Sequence, residues 1–167
     1  MILKFKKNTF LIIAFFIIFF SIISALIIEY ILGYQPCKLC IYERFPYFLS
    51  ALLIIKIIFF KKYEKIVLFL LFLIFIFSSL LAFYHFGIEQ GFFSESFVCE
   101  IENLSKNLSK EQILQELKQK RVSCKDAEFK ILGLSLALIN AIFSTLLSII
   151  FLKLFIDYGS SSTSQYK

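Results

Sequence analysis

Long apolar runs constrain this chain more than anything else in it. Four stretches rich in Ile, Leu, Phe and Ala, at 9–28, 45–60 (its helix reckoned from about 41), 66–86 and 131–155, are separated by a short polar break, a tight basic turn and a long polar segment, 87–130. A helix needs roughly 20 apolar residues to cross a bilayer. In lipid, every backbone N–H and C=O must be satisfied within the segment, and a helix does this. Composition points the same way: 59% hydrophobic, 23 Phe and only 18% charged residues do not make a soluble domain. The expected fold is an all-α integral membrane protein, a bundle of four transmembrane helices forming a single domain over 1–167. The run at 9–28 follows Lys4, Lys6 and Lys7, as a signal peptide would. It exceeds the ~7–15 apolar residues of that class, so an uncleaved first span is expected. The second run is short and contains Lys56. It crosses only if its helix begins near Cys37–Ile41 and Lys56 snorkels to the far interface.

Charge orients the bundle. The net charge of +6 sits in short flanking segments, where it sets topology rather than attracting nucleic acid. Lys4, Lys6 and Lys7 give +3. Four lysines against Glu64 give +3 between Lys56 and Lys65. Lys153, Asp157 and Lys167 give +1. The break at 29–44 is balanced, and 87–130 carries eight acids against seven bases. The positive-inside rule then puts both termini and the basic turn in the cytoplasm, with 29–44 and 87–130 as outer loops. Tyr30, Tyr34, Tyr42, Tyr47 and Tyr84 fall on the outer side, as an interfacial belt would. In the second outer loop Ser109 and Gln112 read as a capping box, ahead of a narrow stripe of Ile113, Leu114 and Leu117. That stripe fits a short helix lying on the membrane or packing on its own loop. The Ser-rich tail 159–167 is expected to be disordered. Glu29 reads as an interfacial carboxylate, and Asn140 as a polar residue facing a neighbouring helix.

All four cysteines lie in the two outer loops: Cys37 and Cys40 in the first, Cys99 and Cys124 in the second. Pro36 suits the start of a helix, where a missing donor costs nothing. A helix beginning near Cys37 places Cys37, Cys40 and Arg44 at i, i+3 and i+7 on one face. The positive end of the helix and the Arg44 cation both favour thiolate, so a reactive dithiol is expected at a membrane rim. Two structural disulfides are the plainer reading. A two-residue spacing, however, closes a very small loop and constrains the unfolded chain least. A four-thiolate metal site needs two matched short spacings, and the chain has one, so no metal centre is expected. His85, the sole histidine, stands at the outer end of the third run, where packing or solvation is its plain role.

Pro36-Cys37-Lys38-Leu39-Cys40-Ile41-Tyr42-Glu43-Arg44 closely resembles the first outer-loop motif of the bacterial disulfide bond formation protein B (DsbB) family of quinone-dependent thiol oxidases. Tyr84-His85-Phe86-Gly87-Ile88-Glu89-Gln90-Gly91 resembles a second stretch of that family. Cys124 with Phe129-Lys130-Ile131-Leu132-Gly133-Leu134 resembles a third. The likeness extends to four spans, loop order and both cysteine pairs. It implies disulfides Cys37–Cys40 and Cys99–Cys124 in a membrane oxidoreductase of the bacterial inner membrane with its active loops in the periplasm. It implies that the protein reoxidises a periplasmic DsbA-like thioredoxin-fold dithiol oxidase and passes the electrons to a membrane quinone, ubiquinone or menaquinone, in support of protein folding. Cys99 would take the mixed disulfide and Cys124 would exchange with Cys37. Cys40 would be the thiolate that donates to quinone, with Arg44, and His85 after it, lining the quinone pocket. The alternative is a non-catalytic membrane assembly or metal-binding module with structural disulfides, which would show no quinone dependence.

Overall fold

A computed structural model describes residues 2–60, 63–94, 124, 130–131 and 133–163. Among these the chain forms four helices: α1 (Ile2–Tyr30), α2 (Lys38–Phe59), α3 (Glu64–Glu89) and α4 (Leu136–Thr163). The expected surface helix near 109–117 and Cys99 lie outside the described residues. α1 is apolar and free of Gly and Pro. Its hydroxyls bond back along the helix, Ser21 to the Ile17 carbonyl at 2.9 Å and Ser24 to Phe20 at 2.8 Å. They therefore enter an apolar setting already satisfied. α1 packs on α2, α2 on α3, and α3 most extensively on α4.

Three helices contain segments long and apolar enough to cross a membrane: Asn8–Tyr30, Glu64–Glu89 and Leu136–Tyr158. α2 has 22 residues, the length required, but carries Lys38, Glu43, Arg44 and Lys56. Its composition is that of a helix with work to do at one end.

The fourth helix begins later than expected. Residues 130–135 form a small hairpin, β1 (Lys130–Ile131) against β2 (Leu134–Ser135), paired Lys130↔Ser135 and Ile131↔Leu134. Gly133 makes the turn at φ +82°, a conformation open to glycine at little cost. The apolar run at 131–135 is thus hairpin, not span. Ser135 then caps α4, its Oγ accepting the Leu138 N–H at 3.2 Å. At the other end α4 continues to Thr163, so the first residues of the Ser-rich tail are helical rather than disordered. The 23 mostly apolar residues Leu136–Tyr158 precede that stretch in the same helix, and no Pro stops it.

Away from the cysteines the core is apolar. Leu11, Ala14 and Ile18 of α1 meet Ile54, Leu68, Leu71, Phe75, Leu147 and Phe151. Phe75 and Phe151 stack at 5.6 Å, and Tyr47 meets the Phe75 edge at 5.6 Å. Tyr47 is only 5% exposed, so it does not belong to the interfacial belt; its hydroxyl finds partners on α4. Tyr30 and Tyr42 are exposed as expected. Near the end of α3, the Phe93 ring lies where a Gly87 Cβ would stand, 2.3 Å from it. The amides of Phe92 and Phe93 donate to the Gly87 carbonyl, so the chain folds tightly back over the last turn, which carries His85.

Candidate functional site

Cys37 is the N-cap of α2. Pro36 before it leaves no amide to satisfy. The Cys37 Sγ accepts the Cys40 N–H at 3.2 Å, taking the place that a Ser or Asp oxygen usually fills. One helical turn brings the two sulfurs to 2.7 Å, and both are free thiols here. The bond between them closes without backbone movement. The Cys37 thiol is held below the ordinary cysteine range. The hydrogen bond from Cys40 is the main cause, backbone donors at Cys40 and Leu39 assist, and burial and the Glu43 charge oppose. In the reduced pair the favoured thiolate is therefore the capping sulfur, Cys37.

His85 joins this pair. Its Nε2 lies 3.4 Å from the Cys37 Sγ and its Nδ1 lies 2.7 Å from Glu43 Oε1. A carboxylate only accepts, so Nδ1 donates to Glu43 and Nε2 is left facing the sulfur. Glu43 is 7% exposed and His85 1%. The second oxygen of Glu43 accepts from Asn140 Nδ2 at 2.6 Å. Tyr47 donates to Asn140 Oδ1, and its oxygen lies 3.0 Å from that of Ser144. A buried carboxylate is thus held by one donor from α3 and one from α4, and it fixes the histidine that faces the thiols.

Arg44 takes the other side of the site. Its guanidinium pairs with Glu29 of α1, tying the ends of α1 and α2 together. A cavity of about 650 Å³ opens beside it. Its lining includes Cys37, Cys40, Glu43, Arg44 and His85 together with the apolar Phe16, Phe20, Ala25, Leu136 and Phe143. Cys124 is buried and disulfide-bonded, and it shares one buried cluster with Cys37, Leu39 and Ile88.

Of the residues singled out in the sequence, then, Cys37, Cys40 and His85 meet directly, Arg44 lines the same cavity, and Cys124 packs into the adjoining cluster. Cys99 lies outside the described residues. Sequence reasoning gave Glu43 and Tyr47 no place in the site; Asn140, read as a polar residue facing a neighbouring helix, does face α2 and there bonds Glu43 and Tyr47. For Glu43 a signal existed: an acid one turn after Cys40 shares the cysteine face of a largely apolar helix.

A helical membrane protein with a close cysteine pair at a helix start, one sulfur buried and both lining a cavity, belongs to the thiol-redox class. Residues 7–154 match the family described as Disulfide bond formation protein DsbB, and the chain belongs to that family. Membership makes it a membrane oxidoreductase of disulfide bond formation. It is 33% identical to an uncharacterized protein of Rickettsia prowazekii (strain Madrid E), over 94% of each chain. No solved structure matches it significantly.

Proposed function

We propose that this protein takes electrons from a DsbA-like thioredoxin-fold dithiol protein in the periplasm and delivers them to a membrane quinone. The observation that carries this reading is the dithiol in the lining of the 650 Å³ cavity. The cavity fits a quinone: Phe16, Phe20, Ala25, Leu136 and Phe143 offer apolar lining for the tail, Arg44 is a donor for a ring carbonyl, and His85 lines the same cavity. A bound quinone supplies an acceptor for two electrons and two protons. The chain supplies the rest. Cys99–Cys124 is the disulfide presented to the partner, and Cys99 takes the mixed disulfide. Cys124, released as a thiolate, attacks Cys37 of the Cys37–Cys40 disulfide, its neighbour in the buried cluster, and Cys40 leaves as the thiolate. Cys99, once freed by the partner's second thiol, retakes Cys124 and leaves Cys37 and Cys40 as the reduced pair. As the Cys37–Cys40 bond forms, the pair gives up two electrons and two protons. His85, held by Glu43, takes a thiol proton at Nε2. Arg44 offers donors where negative charge develops.

The charge pattern supports α2 as a fourth span, both termini in the cytoplasm and the cysteine end at the periplasmic face of the inner membrane. α2 then keeps Glu43 and Arg44 at the rim and Lys56 at the opposite interface.

Trapping tests the route. A Cys124→Ser protein is expected to accumulate a covalent complex with the thioredoxin-like partner, and Cys99→Ser is not. Identical behaviour of the two variants would overturn the assigned order. Impermeant thiol reagents should label all four reduced cysteines from outside; labelling that needs the inner face opened would overturn the orientation.

A further inference from the structure

We propose that the reduced Cys37–Cys40 pair and His85 form a binding site for one thiophilic divalent cation of the zinc class, a site that the disulfide form cannot hold. One ligand atom from each of the three residues lies within 4.8 Å of the others. In a tetrahedral zinc site with Zn–S and Zn–N bonds of about 2.3 and 2.0 Å, sulfur and nitrogen stand about 3.5 Å apart. His85 Nε2 is already 3.4 Å from Cys37 Sγ. The two sulfurs at 2.7 Å must part by about 1 Å, which rotation of the Cys40 side chain provides. A fourth donor stands close: Glu89 Oε1 is 3.8 Å from the same Nε2.

The surroundings are those of a ligand set. Metal-binding histidines carry a carboxylate on the other ring nitrogen, which fixes the tautomer and raises basicity. Glu43 occupies that place on His85 Nδ1 at 2.7 Å, itself held by Asn140. Arg44, which lines the same cavity, is paired with Glu29. Binding exchanges one cation for two thiol protons and involves no electron transfer. Forming the Cys37–Cys40 bond removes both thiolates, so oxidation releases the ion. Occupancy therefore competes with disulfide formation, and the cation acts as an inhibitor of the reduced protein. The inference stands on this geometry and not on the identity of the electron acceptor.

The test uses full-length protein in detergent carrying Cys99→Ser and Cys124→Ser, so that only the first pair can bind. Cobalt(II) is the probe, with zinc as competitor. Reduced protein is expected to bind one cobalt per chain with a sulfur-to-cobalt charge-transfer band, which zinc abolishes. Oxidised protein is expected to show no band. His85→Ala should weaken binding by roughly 10- to 100-fold. Cys40→Ser, nearly isosteric, should remove the charge-transfer band with helical content unchanged. Absence of the band in reduced protein, its persistence after oxidation, or equal affinity in the Cys40→Ser protein would each overturn the site.

Discussion

The two ends of the helical bundle are held together by opposite means. At the far end Leu68, Leu71, Phe75 and Phe151 are fully buried and apolar. At the cysteine end Glu43, His85, Asn140 and Tyr47 hold one another through hydrogen bonds around the thiols. In a membrane, apolar packing gains little from leaving lipid, because lipid is as apolar as leucine; contact and shape hold such a core together. A buried carboxylate costs free energy unless every acceptor position is met. Here one is kept, with donors from two other helices, and on the proposed function its use is its effect on the thiols. The far end is therefore scaffold and the cysteine end is machinery. Substitutions at the two should separate stability from chemistry.

The largest effect is expected at Cys40. A Cys40→Ser protein cannot form the Cys37–Cys40 bond, so quinone reduction should fall to background while thermal unfolding in detergent stays near that of the parent. Residual turnover above a few per cent would place the electron donor elsewhere.

Glu43→Gln should come next. The amide keeps the shape but loses the charge that holds His85 Nδ1–H. Hydrogen bonds to charged groups contribute roughly 1.5–3 kcal/mol, so single-turnover oxidation of the dithiol should slow by roughly 10- to 100-fold. An unchanged rate would reduce Glu43 to packing. Phe151→Ala probes the other side of the comparison. It opens a cavity in the stacked Phe75 pair and should lower stability by roughly 3 kcal/mol with dithiol chemistry intact. A matching loss of dithiol reactivity would mean the two ends are not independent.

Arg44→Lys should act more narrowly. Lysine retains charge and reach but not the planar fork. The quinone concentration for half-maximal rate should rise several-fold, while exchange with the external dithiol is unaffected. An unchanged requirement would leave Arg44 as a clamp on Glu29. The smallest effect concerns pH. Because the Cys37 thiol is held below the ordinary cysteine range, its alkylation should persist at pH values where a free cysteine near 8.5 is protonated. As pH rises past 8.5 its rate advantage over a free cysteine should shrink. Parallel profiles would contradict the N-cap assignment.

The sequence made the larger features legible because each depends on local chemistry. Length and apolarity marked the spans, and Pro36 with the two-residue spacing marked a dithiol at a helix start, where Cys37 caps α2. Features that depend on which distant residues meet were not legible. His85 and Glu43 are 42 residues apart, and Glu43 and Asn140 are 97 apart, so no spacing rule joins them. Tyr47 was placed with the other tyrosines at the rim, because only the tertiary structure reveals Asn140 and Ser144 beside it. Gly133 was absorbed into an apolar run whose first residues turn out to be a hairpin, since Ile and Leu serve strand and helix alike.

The central claim is that the buried dithiol empties into a quinone bound beside Arg44. The most direct measurement is a single turnover under anaerobic conditions. Reduced Cys99→Ser/Cys124→Ser protein in detergent is mixed with a soluble quinone, and quinone loss and thiol state are followed together. The account predicts one quinone reduced per chain, with Cys37 and Cys40 recovered as a disulfide by mass spectrometry. Quinone left unreduced while both thiols remain free would contradict it.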